Sequence, residues 1–326
     1  MQSASRIMEL LYDRGDVFFS LAELARDAGV RRVQLDAAIE QLQAGGHRLE
    51  FSPAHGVRLS RPVALDAHLI ERQLGTRRIG RHAIVFAEVD STNDVAFDSS
   101  AQTGADGLVV LAEYQRRGRG RAGRRWLSPP GLNIMMSVLL TDRPDAPCHD
   151  TLTIAAGLAV AEGVEAACAA DGRTIACRLK WPNDVMLDAG KLAGVLVQTR
   201  RRQKRRCVVI GIGINVNAAP PPEDVDRPAI ALAEHVGRPV ERIEVVRCVL
   251  RRMDKWVARI TAGKLDKLHS QWMSRCGMMN ERITALCRRR RYTGRVSDVD
   301  PLKGLILFDD HGRSVHLPAE YTTILE

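Results

Sequence analysis

Between Tyr114 and Trp126 the chain reads Tyr-Gln-Arg-Arg-Gly-Arg-Gly-Arg-Ala-Gly-Arg-Arg-Trp, a glycine-arginine loop closed by an indole. Its glycines let the backbone approach a ligand closely, and its guanidiniums present fixed forks of N–H donors that suit carboxylate or phosphate. Gly118, Gly120 and Gly123 also satisfy G-x-G-x-x-G, the dinucleotide fingerprint, with Asp142 near the place where that motif needs its acid. The fingerprint requires a helix that starts among the glycines. Here Ser128-Pro129-Pro130-Gly131 and then an apolar run, Asn133 to Leu140, follow at once. No helix grows through two prolines and a glycine, so the dinucleotide assignment is rejected. What is left is an anion-binding loop between two strands.

Four further segments carry groups that can do chemistry. Ser91-Thr92-Asn93 follows an apolar run and opens a helix, where these residues serve either as plain caps or as ligand contacts. Lys180-Trp181-Pro182-Asn183-Asp184 gathers a cation, an indole, an amide and a carboxylate at a strand-turn junction, although Pro and Asn-Asp also make ordinary turns. Lys191-Leu192-Ala193-Gly194 follows a turn at Ala189-Gly190, a place where lysines are commonly just solvated. Gly211-Ile212-Gly213-Ile214-Asn215 ends an apolar strand in an amide; its glycines could equally serve close sheet packing.

The elements that must position these groups divide the 326 residues into several units. Residues 1–65 read as three short helices and a hairpin. Helices are expected near 5–13, from the Ser20–Glu23 capping box to Gly29, and over 31–44, the last with Val33, Ala37, Ile39 and Leu42 at near-helical spacing. The hairpin turns at 53–56, and the natural description is a winged helix-turn-helix. A linker with a short helix capped by Asp66 fills 66–81. An α/β region follows over 82–265, with strands near 83–89, 107–113, 133–140, 174–180, 193–199 and 207–214. Its long helices lie near 151–170 and 241–262. Short connections across 180–216 predict antiparallel pairing. Residues 266–326 hold four strand-like runs, near 282–287, 291–298, 304–308 and 314–317, and predict a small closed β-barrel.

A hydrophobic fraction of 45% supports real cores. Seven cysteines without a C-x-x-C pair argue against a disulfide framework and a structural zinc site. Met1 to Phe19 lacks the apolar core of a signal peptide, and the uncharged run Thr151–Ala161 is too short to cross a bilayer, so a cytoplasmic protein is expected. The formal charge of +9 sits largely in runs such as Arg200–Arg206 and Arg288–Arg291. Such runs read as solvated turns, or as a surface for an acidic protein partner.

Taken in order and spacing, the five motifs resemble the bifunctional bacterial biotin protein ligases that also repress the biotin operon. These motifs are Ser91-Thr92-Asn93, Gly118-Arg-Gly-Arg-x-Gly123 with Trp126, Lys180-Trp-Pro-Asn-Asp184, Lys191-Leu-Ala-Gly194 and Gly211-x-Gly-Ile-Asn215. The resemblance covers essentially the whole chain. It implies an α+β multidomain protein: a winged helix, a central mixed α/β catalytic domain of class II synthetase/biotin ligase type with a largely antiparallel sheet, and a C-terminal SH3-like barrel. It also implies a two-step reaction with ATP and Mg²⁺. Biotin's carboxylate attacks the α-phosphate, giving biotinyl-5′-adenylate and pyrophosphate. A lysine of the biotin carboxyl carrier domain of acetyl-CoA carboxylase then takes the biotinyl group.

By the same resemblance, Ser91, Thr92, Asn93, Gln115, Arg119, Gly120, Arg121 and Lys191 contact biotin. Gly118, Arg119, Arg121, Trp126, Asn183, Lys191 and Asn215 serve ATP, with Trp126 on the adenine and the two amides near the nucleotide and its metal; no protein side chain is assigned as a metal ligand. Arg119, Arg121 and Lys191, aided by Mg²⁺, are the candidates to neutralise the two anions, with Arg121 and Lys191 near the carboxylate and phosphate, and Asp184 is the candidate base for the second step. The glycine-arginine loop is expected to order over ligand and keep water from the mixed anhydride. Asn217-Ala-Ala-Pro-Pro-Pro222 departs from the enterobacterial type, which carries arginines there.

Repression is a separate question. The resemblance implies biotinyl-5′-adenylate as corepressor, operator DNA as a partner and a homodimer through the central sheet's edge, the surface that can also receive the acceptor. Arg31, Arg32 and Gln34 are the candidate DNA contacts. Yet residues 1–65 hold eight arginines against eight acidic residues and no lysine, and the presumed reading helix carries Asp36 and Glu40. A domain that relies on phosphate neutralisation should be basic. A ligase with a vestigial or protein-binding winged helix is therefore the alternative, and a lipoate-type ligase on the same catalytic fold is another. The lipoate enzymes use a different glycine-arginine signature with a nearby histidine that this chain lacks.

Overall fold

The computed structural model describes residues 2–141, 149–202, 205–300 and 304–325. The chain opens with α1 (Gln2–Arg14), α2 (Leu21–Ala28), α3 (Arg32–Ala44) and the hairpin β1 (Leu49–Ser52) and β2 (Gly56–Leu59). The capping box at α2 is present: Glu23 N–H donates to Ser20 Oγ at 3.2 Å while Ser20 N–H donates to the Glu23 carboxylate at 3.2 Å. Gly29 closes the helix in the left-handed region. On α3 the buried stripe is Leu35, Ala38, Ile39 and Leu42, and Val33 is 79% exposed. The spacing i, i+3, i+4, i+7 starts at Leu35, so Val33 and Ala37 fall on the solvent side of the helix.

The linker forms α4 (Ala67–Glu71), capped by Asp66 as expected, with Leu69 N–H donating to Asp66 Oδ1 at 2.8 Å. A seven-stranded sheet follows, built from β3 (Ala83–Val89), β4 (Val109–Gln115), β5 (Ile134–Thr141), β6 (Arg178–Lys180), β7 (Asp184–Leu187), β8 (Gly190–Arg202) and β9 (Arg205–Ile214). Its order is β3-β4-β5-β9-β8-β7-β6. Only β3 and β4 run parallel, joined through α5 (Thr92–Ser99); all other neighbours are antiparallel. The strand expected over 174–180 pairs only from Arg178, and β7 emerges from what reads as a turn in sequence.

One face of the sheet is covered by α6 (His149–Ala170), on which α8 (Arg242–Thr261) and α9 (Leu265–Met273) pack, with the short α7 (Leu232–Val236) beyond β9. By length and composition α6 could cross a bilayer, but most of it is buried against α8 and the sheet. Gly163 permits that packing: a Cβ there would lie 2.6 Å from the Val249 Cα.

The last strands are β10 (Arg282–Cys287), β11 (Arg290–Asp300), β12 (Gly304–Asp309), β13 (Ser314–Leu317) and β14 (Thr322–Ile324). They pair antiparallel in the order β13-β12-β11-β10-β14. Among the described residues no hydrogen-bonded pairing joins β13 to β14, so the closure expected of a barrel does not arise from strand pairing. Arg288 and Arg289 form the left-handed turn between β10 and β11, while Arg200 is docked against Asp94 at 3.0 Å and over the Phe97 ring at 4.2 Å.

Candidate active site

The β8–β9 floor explains the glycines of the last two motifs. A Cβ on Gly213 would sit 2.3 Å from the Trp126 ring, one on Gly194 would sit 3.3 Å from it, and one on Gly211 would be 2.4 Å from Asn93 Oδ1. These glycines make room for an indole and an amide, not for another sheet. The glycine-arginine loop delivers the indole by folding back on itself. Gly120 N–H donates to the Arg124 carbonyl at 2.7 Å, and Trp126 N–H donates to the Gly118 carbonyl at 3.0 Å. A short 3-10 turn, Arg121–Gly123, is the only helical piece in it, and Ala122 takes φ +53. The rejection of a dinucleotide fingerprint therefore holds; Asp142 lies outside the described residues.

At one end of the cleft is a buried polar cluster. Ser91 precedes α5, but its hydroxyl makes no capping bond and instead accepts from Arg119 Nη2 at 3.3 Å. Thr92 donates to Gln115 Oε1 twice, from N–H at 2.8 Å and from its hydroxyl at 3.0 Å. Ser137 Oγ lies 2.7 Å from Thr92 Oγ1 and 2.6 Å from Asn93 Oδ1, and Asn93 Nδ2 donates to Gln198 Oε1 at 2.8 Å. Ser137 and Gln198 belong to no motif. The one signal for Ser137 was a hydroxyl in the otherwise apolar run that became β5.

The middle of the cleft is cationic. Lys191 sits on β8, not in a solvated turn, and its Nζ is 2.7 Å from Asp184 Oδ1 and 5.8 Å from the Trp126 ring centroid. Arg119 pairs with Asp94 at 2.8 Å. Burial alone would raise the Asp94 carboxyl, but Arg119 and Arg200 together hold it below the usual range. Arg121 turns the other way: its Nη2 donates to the Ala319 carbonyl at 3.1 Å, and burial pulls its pKa down.

Two expected residues stand behind the wall. Gly118 and Asn215 do not line the cleft, whereas the other residues assigned to biotin or ATP, with Asp184, do. A Cβ on Gly118 would strike the Trp126 carbonyl at 2.5 Å, so its task is to let the loop close. Asn215 Nδ2 donates to the Lys191 carbonyl at 3.2 Å and leaves Oδ1 buried without a partner. Asn183 Nδ2 donates to the Val195 carbonyl at 2.8 Å, pinning the Pro182–Asp184 corner to β8. Beyond Asn215, the fully buried Asn133 holds the following loop, its Oδ1 accepting from the N–H groups of Val216, Asn217 and Ala218 at 2.8, 3.2 and 3.2 Å.

Sequence reading missed Arg227, Thr322 and Thr323, all of which line the cleft. Arg227 is a lone arginine beyond a proline-rich loop, and the two threonines lie in the last strand. The candidate DNA contacts lie elsewhere, at the start of α3. Gln34 Oε1 accepts the Arg31 N–H at 2.9 Å, and Arg32 Nε is 3.0 Å from Asp36.

Comparison with known proteins agrees with this geometry. Residues 85–215 match the Biotin/lipoate A/B protein ligase family. The chain is 33% identical over 255 residues to the bifunctional ligase/repressor BirA of Bacillus spizizenii, covering 76% of each. It is 29% identical over 312 residues to the protein of the same name from Bacillus subtilis, covering 94% of each. It is 30% identical to the biotin--[acetyl-CoA-carboxylase] ligase of Paracoccus denitrificans, covering 72% of this chain and 98% of that one. Among solved structures, the biotin protein ligase from Aquifex aeolicus in complex with biotin and ATP superposes with a TM-score of 0.64 at 27% identity. That match covers 74% of this chain and 97% of the other.

Proposed function

The chain belongs to the biotin protein ligase family, and from that membership we propose that it forms biotinyl-5′-adenylate from biotin and ATP and transfers the biotinyl group to a lysine of a carboxylase carrier domain. One observation carries the reading: a single cleft joins a buried hydrogen-bonding cluster, a row of cations and an indole lying on glycines. The cluster of Ser91, Thr92, Asn93 and Gln115 suits a ureido head, which needs donors and acceptors together. Arg119, Arg121 and Lys191 then meet the carboxylate and the α-phosphate. Trp126 offers its ring to adenine, with Asn183 and Asn215 fixing the strands around the nucleotide.

In the first step a carboxylate oxygen bonds to the α-phosphorus while the bond from that phosphorus to pyrophosphate breaks. Two anions must come together, and preorganised cations lower the cost of that approach. Lys191 and Arg119 each hold a carboxylate before ligand enters, Asp184 and Asp94 respectively. Incoming anions exchange with those carboxylates. That exchange frees Asp184 to accept a proton from the acceptor lysine, whose amine then attacks the carbonyl carbon of the anhydride as AMP leaves. Asn215 Oδ1 is buried behind the cleft wall and Asp184 serves as the base, so Mg²⁺ would be held largely by the nucleotide's phosphates, whose charge it offsets.

The test is the intact mass of a bacterial biotin acceptor domain after incubation with this protein, biotin and MgATP, with lipoate in parallel. A one-biotin gain supports the reading; a gain with lipoate alone would replace it. Asp184→Asn protein is expected to transfer from preformed adenylate about 10²-fold more slowly, the usual worth of a positioned base. Wild-type transfer in single-turnover assays would remove Asp184 from that role.

A second reading, biotin-responsive repression with adenylate as corepressor, is supported by the three helices and hairpin of residues 1–65 and by the similarity to the Bacillus subtilis ligase/repressor over 94% of each chain. Arg31, Arg32 and Gln34 would meet operator DNA, with the exposed edge of β3 as the homodimer surface. The charge balance opposes it, since Arg32 and Arg58 are spent on Asp36 and Glu50. A gel shift of adenylate-loaded protein on its own biotin-gene promoter is expected to show weak, strongly salt-dependent retardation; none at low salt would leave a cytoplasmic ligase alone. In this division residues 1–65 are the winged unit, 66–81 the linker, 82–265 the catalytic unit and 266–326 the SH3-like unit. Helix α9 packs on α6 and α8 of the catalytic unit.

A further inference from the structure

The segment Ala319–Ile324 holds two arginines that come from different parts of the catalytic unit. Arg121, from the glycine-arginine loop, donates to the Ala319 carbonyl at 3.1 Å. Arg227, from the loop after Asn215, donates to the Ile324 carbonyl. Both arginines line the cleft, together with Thr322 and Thr323 of the same segment. Lys191 and Arg119 are neutralised by carboxylates. Arg121 and Arg227 are not: among the described residues neither has a carboxylate oxygen within 4.0 Å. A carbonyl dipole orients a guanidinium but does not cancel its charge. Uncompensated positive charge therefore stands beside the last strand, on planar forks whose geometry matches phosphate oxygens.

Resting on the ligase reading above, we propose that Arg227 seats the β- and γ-phosphates of the nucleotide, beyond the α-phosphate met by Arg121, and that Ala319–Ile324 is the shelf holding both guanidiniums in place. When the α-phosphorus bonds to the biotin carboxylate, the electron pair of the breaking bond leaves on pyrophosphate. The added negative charge then falls beside these two cations. Arg227 thus supplies the cation that the sequence withholds from 217–222, from a position farther along the same loop.

The probe is inorganic pyrophosphate, measured by calorimetry on the full-length protein and paired with the KM for ATP in adenylate formation. Arg227→Ala is expected to weaken pyrophosphate binding and raise the KM for ATP, each by about tenfold or more, as loss of a charge-assisted hydrogen-bond pair implies. The Kd for biotin alone should not move. Arg227→Lys, which keeps the charge without the fork and guards against a misfolded alanine variant, should fall between. Unchanged pyrophosphate affinity in Arg227→Ala and Arg227→Lys overturns the inference. If the wild-type protein itself adds no biotin to the acceptor, the ligase reading has failed instead, and the two failures are told apart.

Discussion

Lys191→Ala protein is expected to form adenylate about 10²- to 10³-fold more slowly than wild type, the size of effect seen when one preorganised charge-stabilising donor is removed. The measurement is ATP–pyrophosphate exchange in the presence of biotin. The lysine is carried on a strand, close to Gly194: a Cβ on that glycine would lie 3.2 Å from both Lys191 Cε and Nζ. Its ammonium is thereby held between Asp184 and the Trp126 ring. This placement predicts poor rescue by arginine, because the larger head would press on Gly194 and the indole beside it. The Kd for biotin should change far less than the exchange rate, since the hydrogen-bonding cluster at Ser91–Gln115 is untouched. Exchange within threefold of wild type would show that Lys191 only balances Asp184 and that the chemistry is stabilised elsewhere.

The sequence is most legible where a local rule has one physical cause. The Ser20–Glu23 box, the Asp66 cap and the proline block after the glycine-arginine loop each depend on neighbours within a few residues, and each is found as expected. The site's motifs were visible because chemistry constrains residue types together. Their geometric reasons were not: that Gly213 must be glycine is evident only when Trp126 arrives from a loop far away in the chain. Ser137, Gln198 and Arg227 escaped because each is a single polar residue whose partner is fixed by sheet register or loop path, which no local pattern encodes. The α3 stripe failed for a simpler reason. Several small apolar residues on that helix allow two overlapping periodicities, and packing against α1 selects the one that begins at Leu35.

Glu113→Ala is expected to cost about 3–5 kcal/mol of stability, the largest effect for a residue outside the cleft. Glu113 receives Arg242 at 2.5 and 3.0 Å and the Leu65 N–H at 2.7 Å. Arg242, at 2% exposure, also donates to the carbonyls of Asn133 at 3.2 Å and Val63 at 3.4 Å. Truncating the carboxylate therefore strands a buried guanidinium and releases the linker N–H at once. Replacing both members should be milder: Glu113→Leu/Arg242→Met removes both desolvated charges, and a double-mutant cycle should recover most of the single-variant loss. If the pair contributed through charge attraction alone, each single variant would cost about as much as the double. The pair also lies between the linker and the loop behind the nucleotide side, since Asn133 holds Val216–Ala218. The recovered double variant should consequently bind biotin normally but show a weaker response of its ATP affinity to deletion of residues 1–65. Chemical denaturation read by tryptophan fluorescence gives the first result. A cost below about 1 kcal/mol for Glu113→Ala would mean that water reaches Arg242 and that this network does not tie the linker to the site.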